Sequence, residues 1–137
     1  MDPGVPPLTD SQRQLLHEGI LCFNREQFFE CHEVLEAAWL EACGAQKKFL
    51  QGLIQVAVAF YHLRRGNFIG AERLLDAGMM KLSAFPPEQE SVDLGGLLAE
   101  LRTLRQKIEA GNLTPDSAVP RIAGQPWKST SVASSES

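Results

Sequence analysis

The string Glu30-Cys31-His32-Glu33-Val34-Leu35-Glu36 holds an imidazole and three carboxylates within two helical turns. On a wheel of about 100° per residue, His32 falls between Phe29 and Trp39, and Glu36 lies beside it one turn on. Both are inside an apolar arc, whereas Glu33 sits at its edge and Glu30 points away. A buried polar group without a partner costs roughly 1–3 kcal/mol, against a total stability of roughly 5–15 kcal/mol. Partners are therefore expected. Residues 49–63 supply them, because that uncharged run is broken only by Gln51, Gln55 and His62. These three share one stripe within about 40°. The expected arrangement joins His32 and Glu36 to Gln51, Gln55 and His62 in one cluster, enclosed by Phe29, Trp39, Val58 and Tyr61.

Two imidazoles and a carboxylate, His32, His62 and Glu36, form a ligand set for Zn, Mn or Fe that leaves positions open for water. Glu33, next to His32, is placed to serve as the general base of such a centre. The string His-Glu-x-x-Glu departs in its last residue from the zincin pattern His-Glu-x-x-His. Plainer readings stand beside this one. The same residues can form a structural hydrogen-bonded cluster without metal, or a solvent-facing stripe on the central helix. An enzyme, specifically a metal-dependent hydrolase, and a non-catalytic binding or scaffolding domain both stay open. His17 reads as solvated, and Arg64-Arg65 as cations complementing a helix C-terminus.

The elements that must position these residues are helices. Residues 49–65 are apolar almost all round and too short to span a bilayer, which predicts a central buried helix. Thr9, Asp10 and Ser11 can cap a first helix running to about Phe23. A second begins near Gln27 and is expected to end at Gly44, with Phe28, Cys31, Leu35, Ala38, Trp39 and Ala42 inward. Gly66 stops the central helix, Asn67 caps a fourth and Pro86-Pro87 terminates it. Ser91 and Asp93 open a fifth, closed by Gly111. Phe28, Cys31, Leu35 and Glu36 align with Phe68, Ala71, Leu75 and Asp76 at an offset of about forty residues, as two stacked helix hairpins would. No strand pattern or hairpin turn is visible. The expected fold is all-α: a compact bundle of about five helices, with a Pro-rich arm at 1–8, a helical domain at 9–111, and a mostly disordered tail at 112–137. Trp127, in that tail, is undecided between packing back and staying loose.

One domain is the natural count for 137 residues, 44% of them hydrophobic. A net charge of −4 and the lack of a Lys/Arg run argue against nucleic acid or an anionic membrane as partner. A small molecule and a second copy of the chain stay open. Three cysteines in no paired pattern suggest a reducing, cytoplasmic setting, and the N-terminus has no signal-peptide pattern.

Several of these strings occur together in a known family. Phe23-Asn24, the run from Phe28 through His32-Glu33-Val34-Leu35-Glu36 to Trp39, Gln51-Gly52-Leu53-Ile54-Gln55, His62 and Gly66-Asn67 resemble the domain of unknown function 309 family over about residues 11–82. Val119-Pro120-Arg121-Ile122 is similar to a short Pro-containing ending in that family. The resemblance implies a compact helical bundle and carries the family's loose label of predicted metal-dependent hydrolase. By carry-over, its motif positions here are Glu30, His32, Glu33, Glu36, Trp39, Gln51, Gln55 and His62. One departure is Glu26, where the family often has Gly in the turn before the second helix.

Overall fold

Thr9 starts the first helix through a reciprocal cap. Its hydroxyl accepts the Gln12 N–H at 3.1 Å, and the Gln12 side-chain oxygen accepts the Thr9 N–H at 2.8 Å. The computed structural model describes residues 7–124. Five helices follow one another: α1 (Asp10–Asn24), α2 (Phe28–Leu40), α3 (Gly44–Arg64), α4 (Phe68–Leu82) and α5 (Leu94–Glu109). Each packs chiefly on its neighbour in the chain. The all-α expectation holds, with α3 at the centre. Phe49, Leu50, Leu53, Val56, Ala57, Ala59, Phe60 and Leu63 of α3 are all buried. Phe60 meets Phe23 and Phe28 at centroid distances of 5.6 and 5.5 Å, which ties α3 to the first hairpin. Each such buried side chain contributes about 1.5–3 kcal/mol. Against α4 the approach is closer still, since a Cβ on Gly78 would lie 2.9 Å from the Gly52 carbonyl oxygen. No helix of the described residues is long and apolar enough to cross a membrane.

The forty-residue offset is structural. Helix α1 ends at Asn24 and α3 at Arg64; α2 begins at Phe28 and α4 at Phe68. Both connections are the same Schellman turn. The Gln27 N–H donates to the Cys22 carbonyl and the Asn67 N–H to the His62 carbonyl, each at 2.9 Å. That turn needs a left-handed residue, which is Gly66 (φ 79°) in the second hairpin and Glu26 (φ 61°) in the first. For a residue with a Cβ this conformation costs roughly 1–2 kcal/mol. Here the Glu26 carboxylate accepts two bonds from Arg64, from Nε at 3.1 Å and Nη2 at 2.6 Å. The same guanidinium donates through Nη1 to the carbonyls of Pro115 and Ser117. The departure at Glu26 therefore keeps the turn geometry that Gly would give, with the ion pair offsetting part of its strain.

Three expectations need correction. Helix α2 stops at Leu40; Gly44 is left-handed but opens α3, with extended Cys43 as its N-cap, so the central helix starts five residues earlier than the 49–65 run. A short antiparallel pair, β1 (Glu88–Gln89) with β2 (Val92–Asp93), precedes α5. Its turn residues Glu90 and Ser91 are both left-handed without being Gly or Asn, so the usual sequence signal is missing. The stretch 112–124, expected as loose tail, is held to the bundle. Asn24 bonds both the N–H and the carbonyl of Ile122 (2.7 and 3.0 Å), Asp93 N–H donates to the Ala123 carbonyl, and Ile122 is 5% exposed. The expectations for 1–6 and 125–137, Trp127 included, lie outside the described residues.

Candidate functional site

The buried line of α2 is Phe28, Cys31, Leu35 and Ala38, at 3-4-3 spacing. Measured from that line at about 100° per residue, Trp39 is turned away by about 60°, His32 by about 80°, Glu36 by about 120° and Glu33 by nearly 180°. The exposures agree with these angles. Cys31 and Ala38 are sealed, the His32 side chain is 29% and that of Glu36 51% exposed, and Glu30 and Glu33 stand in solvent. An arc read from residue types alone is too wide because it takes in Phe29, which is 51% exposed.

The expected enclosed cluster is therefore not what the fold builds. His32 Nε2 does approach Glu36 Oε1, at 3.9 Å on successive turns. On α3, Gln51, Gln55 and His62 do share a partly exposed stripe. His62 turns its Nδ1 to the Asn67 side-chain amide at 3.2 Å, next to the α3–α4 turn. A relay of rings links the two helices: His32 to Phe29 (5.9 Å), Phe29 to Tyr61 (6.0 Å) and Tyr61 to His62 (5.9 Å), with Arg65 over Tyr61. Trp39 is half-buried under the Lys47 ammonium, 4.2 Å from its centroid. Gln55 Oε1 is buried and accepts no hydrogen bond among the described residues.

Among the described residues no three His, Cys, Asp or Glu side chains gather in a way that could hold an ion. His32, Glu36 and His62 thus do not gather into the expected three-ligand centre, on which the base role expected of Glu33 depends. The pair His32–Glu36 is what survives of it. The cysteines are free, and Cys31 is sealed in the core. Burial, with the neighbouring Cys22 adding to it, pushes the Cys31 thiol up to about 12, so at neutral pH it is an inert core residue.

What the fold does enclose is a carboxylate that no local string points to. The Glu90 side chain is 8% exposed and accepts from Arg13 Nε (3.2 Å), Gln46 Nε2 (2.8 Å) and the Leu8 N–H (3.4 Å). It pins the N-terminal arm, α1 and α3 to the β1–β2 turn.

The outward side of α2 has its own pattern. From Glu26 to Gln46 the chain has five carboxylates, Glu26, Glu30, Glu33, Glu36 and Glu41, and no Lys or Arg. Glu26 is taken by Arg64 and Glu36 faces His32. Glu30, Glu33 and Glu41 are exposed and make no ion pair among the described residues. Phe29 and Leu40, the latter 66% exposed, stand at the two ends of this acidic face. Forty residues on, α4 repeats the apolar posts as Ile69 (66%) and Met80 (76%). Its acids are spoken for, because Arg105 holds Glu72 at 2.7 Å and Asp76 at 2.8 Å.

Comparison with known proteins agrees with the motif resemblance. Residues 16–74 match the family model described as Domain of unknown function (DUF309), inside the stretch that carries the motif strings. The chain is similar to "Uncharacterized protein YpuF" of Bacillus subtilis (strain 168), 40% identical over 85 residues, which cover 60% of this chain and 49% of that protein. It is also similar to an "Uncharacterized protein" of Aquifex aeolicus (strain VF5), 28% identical over 102 residues, 74% of this chain and 31% of that protein. The chain spans less than half the length of either curated relative.

Proposed function

We propose that this chain, whose residues 16–74 carry a DUF309 family domain, is a non-catalytic binding module that docks a basic amphipathic segment of another protein on α2. One observation carries the reading: the α2 face offers exposed Phe29 and Leu40 together with Glu30, Glu33 and Glu41, none of them neutralised by an ion pair among the described residues. Apolar anchors flanked by uncompensated like charge suit a helix with Lys or Arg beside its own apolar stripe. The α4 face has equivalent posts but internally paired acids, so charge favours α2. The hydrolase reading finds only the His32–Glu36 pair in its support, one ligand short of a catalytic centre. Free thiols at Cys22, Cys31 and Cys43 suit a reducing, cytoplasmic setting for such a module.

The test is fluorescence anisotropy with a synthetic amphipathic Lys/Leu helix at moderate salt. Saturable binding is expected, weakened about tenfold or more by Glu30→Lys with Glu33→Lys and by Phe29→Ala, whereas Arg73→Glu on α4 leaves it within about twofold. Binding indifferent to all the α2 substitutions would overturn the reading.

A further inference from the structure

A cavity of about 360 Å³ lies between α1 and the β1–β2 hairpin, with its far wall made by residues 122–124. It shares no residue with the α2 face, so a guest here is independent of any segment docked on α2. Its volume falls at the small end of ligand pockets, about 300–1,000 Å³. Leu16, Ile20, Val92 and Ile122 give it an apolar lining, and Leu21, 39% exposed, sits at its rim.

The polar groups on the wall divide into two kinds. Asn24 is used at both ends by the Ile122 backbone, and both Glu90 oxygens are already accepting. Each keeps some unused capacity, but Asn24 is held by its two bonds to the Ile122 backbone and the Glu90 charge is shared with Arg13 and Gln46. Arg13 bonds Glu90 through Nε and lies 3.6 Å from Asp10 through Nη1, while Nη2 makes no hydrogen bond among the described residues. His17 likewise has no hydrogen bond among the described residues at either ring nitrogen, and it lines the same cavity. The groups that make no hydrogen bond among the described residues are therefore two nitrogen donors and the Ser91 hydroxyl, at the edge of an apolar chamber.

We propose that this cavity binds a small monocarboxylate with an apolar body, its head against Arg13 Nη2 and His17 and its body along Leu16, Ile20, Val92 and Ile122. A carboxylate is the acceptor that gains most from a guanidinium, through a charge-assisted bond roughly twice as strong as a neutral one. A chain of about ten carbons suits a site of this size.

Isothermal titration calorimetry of the full chain with decanoate, decanol and decylammonium tests the assignment. Decanoate should saturate one site, with decanol weaker by about tenfold or more and decylammonium weaker still. His17→Glu, which turns a negative charge toward the head, should weaken decanoate about tenfold or more and leave decanol within about twofold. Ile20→Trp, which fills the chamber, should abolish both. The proposal fails if decanoate shows no saturable binding, if decanol or decylammonium binds as tightly, or if both variants titrate like the wild type. Thermal melts of the two variants identify a folding failure, and either folded variant suffices for the decision.

Discussion

Replacing Glu36 by Gln separates the two functional readings with one isosteric change. In the structure Glu36 is half exposed and sits 3.9 Å from His32 Nε2, one turn away on the same helix. Its side chain has no further partner among the described residues. An exposed i,i+4 pair is worth about 0.3–0.5 kcal/mol, and solvent screening keeps it there. For a domain of this length, that shifts the midpoint of thermal unfolding by about 2 °C or less. Had Glu36 been enclosed with two histidines, removing its charge would have stranded them at a cost of several kcal/mol. Had it been a metal ligand, the variant would lose metal while the apo fold kept its stability. The assay is a urea titration of wild type and Glu36→Gln at low and neutral pH, with elemental analysis on protein purified without a histidine tag. A change within about 0.5 kcal/mol and indistinguishable metal content is the expected pair of results. A loss above about 1.5 kcal/mol, or stoichiometric Zn, Mn or Fe in the wild type that the variant lacks, would refute the surface assignment of Glu36.

The geometry makes three further outcomes testable. Glu26→Gly should leave stability within about 0.5 kcal/mol, because relief of the left-handed strain offsets the lost bonds to Arg64, whereas Gly66→Ala at the equivalent turn should cost about 1 kcal/mol or more by urea unfolding. Asn24→Ala strips both backbone groups of Ile122 of their partner, so it should cost about 1–3 kcal/mol and open the 112–124 stretch to limited proteolysis that the wild type resists. Cys31 supplies a pH signature. Its thiol is favoured in the folded state, so that contribution is complete below about pH 9 and is lost as pH climbs from there toward about 12. Wild type should therefore lose about 1.4 kcal/mol more than Cys31→Ala per pH unit in that window, measured by urea unfolding. Parallel pH profiles would show that the thiol is not held protonated by the core.

The helices are legible in the sequence because each is written locally. Thr9, Asn67 and Asp93 cap where their side chains reach a backbone N–H three residues on, and the apolar run of 49–63 can only be a core helix. The repeat is legible for the same reason, since its matching positions lie on matching turns. The rotation of α2 about its own axis is not. Phe29, Trp39 and Leu40 are as apolar as Phe28 and Ala38, so an arc drawn from residue types alone is too wide and carries His32 and Glu36 inside with it. Only the packing on α1 and α3 selects the strict line Phe28, Cys31, Leu35 and Ala38, and that selection is a property of three helices. The carboxylate the fold does enclose is out of reach altogether. Glu90 lies 77 residues from Arg13 and 44 from Gln46, on a turn whose left-handed residues are Glu and Ser. Nothing near it in the chain distinguishes it from the exposed glutamates of α2. A pairing search over the polar residues flanking Pro86-Pro87 would not find it either, because its partners are fixed by where the first turn of α1 meets the start of α3. The same asymmetry underlies the proposed function. Charges with an intramolecular partner, such as Glu90, Glu26 and Asp76, are committed to the fold, whereas Glu30 and Glu33, exposed beside Phe29 on α2 and without an ion pair among the described residues, stay available to another molecule.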